Sequence, residues 1–279
     1  MKQKYISGRN NSFITEICKL KQKKYRNHTG LFYTEGIKLL KEILCSDYKK
    51  NIKYIIIREN IYDDIMRIIE TENNADDFEC VEIIAVTDEV YKKITDEESS
   101  EGVMCVIEKP QGEIKLSYEK PVIILSSVRD PGNVGTIIRT AAAVCELDII
   151  LSDDCADIYS SKTQRAAMGA VFRQNIKISE NIFGDIANLK KNGYNIFATY
   201  LDENSRSIEE VEFNSKTAVV FGNEGNGLDD EIVELCDEKI IIPINQGSES
   251  LNVSVAAGIV LWEIRKSLKE TKAELGGKI

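Results

Sequence analysis

An arginine inside an otherwise apolar helical pattern is the first feature of this chain that invites chemistry. Arg139 falls among Val134, Ile137, Ile138, Ala141 and Ala142. A guanidinium in that company calls for an anionic partner, and its planar fork suits a phosphate. The stretch before it, SSVRDPGNVG, combines a turn at Pro131 and Gly132 with Asn133 as a candidate helix cap. Two more polar loops follow late in the chain. GNEGNGL, from Gly222 to Leu228, holds three glycines and one carboxylate. Glycines let a backbone approach a ligand closely, while Glu224 repels an anion and suits a cation or a hydroxyl donor. IPINQGSESLNVSVA, from Ile242, places Ser250, Asn252 and Ser254 where a long apolar helical pattern opens. Taken singly, each loop also reads as an ordinary strand-to-helix corner with capping residues. Their occurrence together, in this order, points to a shared site.

Other chemistries find less support. The chain has neither the GxGxxG order of a dinucleotide loop nor a GxxxxGK[ST] phosphate loop. The single histidine, His28, reads as a surface or RNA-facing residue. Seven cysteines (Cys18, Cys45, Cys80, Cys105, Cys145, Cys155 and Cys236) are scattered without a CxxC pair. They read as buried free thiols in a reducing compartment, with no metal site.

The loops need elements to carry them. From Pro121 onward, β-rich runs alternate with helical patterns: PVIILSSV, a helix from Val134 to Cys145, LDIIL, and a helix from Lys162 to Val171. NIKI follows, then a helix around Asp185 to Lys191, YNIFATY, the runs ahead of the two late loops, and a helix from about Leu251 to Leu268. This pattern predicts an α/β domain with a mostly parallel sheet covered on both faces, and ligands in such sheets bind beyond the carboxyl ends of the strands. Residues 1–108 form a smaller α/β pattern: helices from Ser12 and near Glu35, a strand at Lys53 to Ile57, a helix from Ile61 to Glu70, and strands at Cys80 to Val86 and Gly102 to Glu108. It lacks a phosphate loop and reads as a recognition module. KPQGEIKLSYEK, residues 109–120, has little apolar patterning and reads as the linker to the domain at 121–279.

Charge separates the two halves. The formal net charge is −10, yet residues 1–60 carry 14 Lys and Arg against 5 Asp and Glu, a net of +9 that leaves −19 for the remainder. Such asymmetry marks a localised interaction surface. Its densest part contains Lys21, Lys23, Lys24 and Arg26, with Tyr25 interleaved, and RNA is the candidate partner. No apolar run approaches the roughly 18–20 residues of a membrane span. The start, MKQKYISGRNNSF, has no apolar core of a secretory signal, so a cytoplasmic location is expected.

DPGNVGTIIRTA, FGNEGNGL and IPINQGSESLNVSVA closely resemble the three motifs of the SpoU (TrmH-like) family of RNA 2′-O-ribose methyltransferases, within the SPOUT class. The resemblance covers the second domain and extends more weakly to the first, where KKYR, YTEGIKLL and EGVMCVIE look like the family's ribosomal-protein-like substrate-binding domain. It implies a C-terminal trefoil knot, S-adenosylmethionine held in that knot, and a homodimer. Carried over by position, it puts cofactor contacts on Gly222, Ile242 and Leu251, and catalytic roles on Arg139, Asn133, Glu224, Ser250 and Asn252.

A large-subunit (23S) rRNA is the expected substrate, because a basic module precedes the catalytic domain. The alternatives are tRNA 2′-O-methylation and a non-catalytic ribosome-assembly factor that binds RNA. A guanidinium has a pKa above about 12 and is a poor base. Arg139 is therefore expected to bind the neighbouring phosphate and the 2′-oxygen, with Ser250 and Asn133 orienting it. Two other assignments compete: deprotonation by a transiently neutral Arg139, and a role for Glu224. Asn252 is expected to order the cofactor pocket or a dimer contact.

Overall fold

The computed structural model describes residues 2–72, 81–112, 114–245 and 250–276. Cys80 and part of the third loop, residues 246–249, lie outside the described residues. The chain divides into two compact units, residues 1–112 with 157–173, and residues 113–156 with 174–279.

The first unit is a five-stranded sheet in the order β1-β4-β3-β5-β2. Its strands are β1 (Lys2–Ile6), β2 (Leu31–Glu35), β3 (Ile52–Arg58), β4 (Glu82–Val86) and β5 (Val103–Glu108). β4 is parallel to both β1 and β3, whereas β5 runs antiparallel to β2 and β3. β1 and β2 are strands that apolar patterning does not reveal. KQKYI shows no apolar run and becomes a strand through its register with β4, Lys2 opposite Glu82. Helix α1 (Ser12–Lys19), capped by the Asn11 side chain, and helix α5 (Asp88–Ile94) bury Ile14, Ile17, Val90 and Ile94 against Ile56, Ile84 and Met104. Helix α2 (Lys23–Thr29) carries the basic cluster, and helices α3 (Ile37–Leu44) and α4 (Tyr62–Glu72) complete the unit.

Residues 157–173, expected from sequence in the second domain, pack with the first unit. Phe32 of β2 meets Tyr159 at 4.5 Å between ring centroids and stacks on Phe172. The Gln164 amide donates to the Tyr33 carbonyl at 2.9 Å. The helix of this segment, α7 (Ser161–Ala167), is also shorter than its sequence pattern. Met168 (φ 51°) and Gly169 (φ 85°) turn left-handed and stop it before Val171.

The basic cluster does not behave as one surface. Arg26 is only 4% exposed. Its Nη2 donates to the Asp157 carboxylate at 2.6 Å, and Nη1 donates to the carbonyls of Leu20 and Lys21, each at 2.8 Å. Arg26 is thus corrected from an RNA contact to a buried structural cation, because its fork is consumed inside the unit. Lys21 pairs with Asp96 at 2.8 Å. Lys23 and Lys24 are exposed on α2.

The second unit is a seven-stranded parallel sheet in the order β10-β12-β9-β11-β6-β7-β8. Strands β6 (Val122–Leu125), β7 (Asp148–Ser152) and β11 (Thr217–Phe221) are buried at every residue. This is why they read as continuous apolar runs and not as alternating ones. β8 (Asn175–Ser179), β9 (Asn195–Thr199), the two-residue β10 (Arg206–Ser207) and β12 (Glu238–Ile241) complete the sheet. Helices α6 (Pro131–Val144), α8 (Ile182–Lys191), α9 (Asp230–Leu235) and α10 (Val253–Gly276) connect and cover it. The supposed linker is anchored here from Leu116 onward. Leu116 joins the core, and the Ser117 backbone donates to the buried Asp148 carboxylate at 2.9 Å.

Candidate active site

Three strands of the second unit deliver three loops to one end of the sheet. β6 and β11 are direct neighbours, and β9 separates β11 from β12. The residues beyond their carboxyl ends therefore converge, as ligand-binding loops of parallel sheets do.

The first loop leaves β6 through Ser127, whose φ of 57° is unusual for a residue with a side chain. Asp130, not Asn133, caps α6. Its carboxylate accepts from the Asn133 backbone at 2.8 Å, and Pro131 occupies the first helical turn. An Asp followed by Pro is itself a helix-start signal, so this cap was legible. The consequence is functional, because the Asn133 side chain is released for other work. Its amide nitrogen donates to Glu224 at 2.9 Å, and its oxygen accepts from the Asn252 amide at 3.0 Å.

The second loop is a tight reversal. Asn223 and Gly227 exchange backbone hydrogen bonds of 2.8 and 2.9 Å. The Asn223 side-chain oxygen accepts from Gly225 and Asn226, a local turn that its amide group ties to the Ser127 carbonyl at 2.8 Å. Glu224 stands at the crest. Burial raises its pKa, but hydrogen bonds from the Asn133 side chain and from backbone N–H groups, including those of Asp130 and Arg129, outweigh this and hold the carboxyl below its ordinary range. Glu224 is therefore ionised at neutral pH and acts as an acceptor. A depressed carboxyl stabilises the folded loop above the ordinary carboxylate pKa, and that support fades as pH falls through the depressed value.

In the third loop, Asn252 does two jobs at once. Its side-chain oxygen accepts from the Ser254 backbone at 2.9 Å and caps α10, while its amide nitrogen reaches Asn133. Capping and site-building are here the same residue.

Between the second and third loops lies a cleft of about 700 Å3, lined by Glu224, Ser250 and Asn252 and walled by Leu201, Gly222, Ile242, Leu251 and Val260. Its size and mixed lining suit a nucleoside-bearing small molecule. A carboxylate on a largely apolar wall also suits a ligand with a positive centre. The buried Gly222 lies so close to Gly227 that an added Cβ would sit 2.3 Å from its carbonyl carbon and oxygen. The chain can thus fold this wall only around a residue without a side chain. These features fit S-adenosylmethionine, and Gly222, Ile242 and Leu251, expected to contact it, all line the cleft. Leu201 and Val260 are wall residues that motif reading did not find.

Arg139 is not brought into this group. It lies exposed on α6, six residues beyond Asn133, which at about 100° per residue turns it well away from the Asn133 flank. Among the described residues no carboxylate pairs with it, contrary to the expectation from its apolar neighbours. Among the described residues there is also no group of three or more metal-ligating side chains, and no helix long and apolar enough to cross a membrane.

The SpoU rRNA methylase family matches residues 120–262, and the MRM3-like substrate binding domain matches residues 11–105. The chain is similar to the 23S rRNA (guanosine(2553)-2′-O)-methyltransferase RlmP of Bacillus subtilis, with 31% identity over 262 residues, covering 94% of this chain and 99% of that protein. It is 31% identical over 171 residues to the tRNA (guanosine(18)-2′-O)-methyltransferase of Aquifex aeolicus, covering 59% of this chain and 74% of that one. Among solved structures, the AdoMet-bound rRNA methyltransferase of Sinorhizobium meliloti matches with a TM-score of 0.79 and 28% identity, over 95% of this chain and 98% of that one.

Proposed function

The chain belongs to the SpoU rRNA methylase family, and on that footing we propose that this RNA 2′-O-ribose methyltransferase acts on 23S rRNA as a cytoplasmic homodimer. One observation carries the site assignment: side chains from three loops far apart in sequence close into the hydrogen-bonded chain Asn252–Asn133–Glu224, beside a cleft fit for the cofactor. S-adenosylmethionine supplies a methyl group already activated by its sulfonium. What remains for the protein is to hold a ribose 2′-hydroxyl in line with it, and orientation of that kind is worth roughly 7–11 kcal/mol.

Glu224, ionised, accepts a hydrogen bond from the ribose 2′-hydroxyl, whose proton passes to solvent water as the oxygen takes the methyl group. Asn133 is fixed from both sides and keeps Glu224 in place. Ser250, on the cleft wall, orients the 2′-oxygen. The substrate assignment is supported by the full-length similarity to a 23S rRNA enzyme and by the basic first sixty residues.

A second copy accounts for two features that the single chain leaves unexplained. On α10, Val255, Ile259 and Trp262 are 52%, 36% and 56% exposed at helical spacing, an apolar stripe in water. α10 packs beside α6, where Gly258 faces Thr140, and the exposed positions of α6 include Thr136 and Arg139. In the homodimer this face is covered, and Arg139 is delivered to the partner's loops, where its fork binds the substrate phosphate and 2′-oxygen. Trp262→Asp is expected to yield monomers in sedimentation and to lose methyl transfer. A wild-type chain that is monomeric and fully active would overturn the dimer. Arg139→Lys keeps the charge and loses the fork; a charged hydrogen bond is worth about 1.5–3 kcal/mol, so transfer should fall roughly 10- to 100-fold. Full activity of that variant would remove the bidentate role.

We also infer a trefoil knot in the C-terminal part of the second unit. Supporting this, Ile242 and Leu251 return to a cleft walled by the β11 loop although β12 is not β11's neighbour. An experimental structure with an unthreaded C-terminal half would remove it. The substrate reading is tested by incubating the protein with radiolabelled S-adenosylmethionine and 23S rRNA or tRNA, then mapping ribose methylation by resistance to alkaline cleavage. Label in 23S rRNA is expected. Label only in tRNA would move the substrate, and label in neither would sink the proposal.

A further inference from the structure

The active-site loops are acidic: Asp130 caps α6, Asp154 lies after β7, and Glu224 is ionised. RNA must nevertheless bring a ribose flanked by two phosphates to them, and residues 61–279 carry a net charge of −19. Some fixed cation has to offset that repulsion locally. Arg139 faces elsewhere on the chain that bears it. The one cation on the DPGN loop itself is Arg129.

Arg129 is built into the site by its backbone and open to solvent by its side chain. Its backbone N–H is among the donors that hold the Glu224 carboxylate. Its side chain is 69% exposed, and Nη2 lies 3.1 Å from the Asp154 carboxylate. Asp154 is itself fixed, because its other oxygen accepts from the Ser152 hydroxyl at 2.6 Å. That hydroxyl in turn accepts from the Ser127 backbone at 2.8 Å, at the residue whose positive φ turns the chain into the DPGN loop. A run of contacts thus connects the loop that carries Glu224's partners to one edge of the guanidinium. The pairing occupies that edge and leaves the remaining donors of a five-donor fork exposed. An isolated surface ion pair adds little stability; aiming a guanidinium is a better reason for this one.

We propose that Arg129, aimed by Asp154, binds a backbone phosphate of the RNA next to the ribose that is methylated. Arg129 is then a substrate-binding residue and Asp154 a positioning residue. The inference rests on the RNA methyltransferase reading and adds to it the group that receives the second of the two flanking phosphates, the partner's Arg139 taking the first.

The test measures methyl transfer to transcribed 23S rRNA, and equilibrium binding of the same RNA, over a series of salt concentrations. Arg129→Gln is expected to raise KM for RNA about tenfold, more than it lowers kcat. It should also make the dependence of log affinity on log salt shallower by roughly 0.7–0.9, the share of one phosphate contact. Arg129→Lys retains the charge and should retain the slope. Asp154→Asn should raise KM while leaving the slope near wild type, a split that a purely structural role would not produce. An unchanged salt slope in Arg129→Gln, with cofactor affinity intact, would overturn the proposal. Because the slope is also read from binding, failure of the wild-type chain to methylate 23S rRNA would count against the substrate reading without deciding the role of Arg129.

Discussion

Gly222→Ala is expected to weaken cofactor binding by roughly two orders of magnitude while leaving the first unit folded. The methyl it adds would lie 2.3 Å from the carbonyl carbon and oxygen of Gly227 and 2.5 Å from the Leu228 nitrogen. All three are backbone atoms, so no side chain can swing aside. The loop has to open, and the paired Asn223–Gly227 hydrogen bonds that define it are lost. Overpacking of this kind costs about 1–3 kcal/mol of stability. The larger effect falls on the cleft, since the same loop supplies its wall and presents Glu224. Loss of some 3 kcal/mol of binding energy corresponds to a weakening on the order of a hundredfold. Calorimetric titration with S-adenosylmethionine reads the loss directly. Gly225→Ala is the matched control, because its added methyl meets only the Asn223 side-chain oxygen at 3.4 Å. Normal titration of Gly222→Ala would mean that the cofactor does not use this wall.

Arg26→Ala should produce the largest loss of stability in the first unit. Both partners of the Arg26–Asp157 pair are nearly buried, with side chains 5% and 9% exposed. Removing the arginine strands the Asp157 carboxylate and frees two carbonyls. Breaking a buried pair in this way costs about 3–5 kcal/mol. Replacing both partners, Arg26→Met with Asp157→Leu, should recover most of that, since no buried charge remains. Urea denaturation of the full chain measures both. Lys24→Ala, on the same helix but exposed, should leave the unfolding midpoint in place and weaken RNA binding. If Arg26→Ala instead weakened RNA binding at unchanged stability, Arg26 would be a surface contact after all. The comparison separates two basic residues two positions apart whose roles composition alone equates.

The two cases divide what can be read locally from what cannot. Val122–Leu125 and Thr217–Phe221 announce themselves as strands because a parallel strand covered on both faces must be apolar at every position. The three polar loops are legible for a related reason, since glycines, caps and a lone carboxylate are required where backbone meets ligand. Local reading names Asn133, Glu224, Ser250 and Asn252 singly, and the resemblance of their loops to the SpoU motifs joins them as a set. Their hydrogen-bond order is not legible in this way, because it depends on β6 and β11 being neighbours and on Asp130 capping α6.

Sequence alone thus determined the α/β class, the three site loops and the residue types that meet in them, because each is imposed by local burial or by backbone geometry. Tertiary structure alone decided that KQKYI is a strand, that residues 157–173 pack with the first unit, that Arg26 is inside while Lys24 is outside, and that Arg139 faces away from Asn133 on its own chain. Each of these depends on a partner distant in sequence or on the face an element turns to its neighbours, and neither is encoded in the residues that surround it.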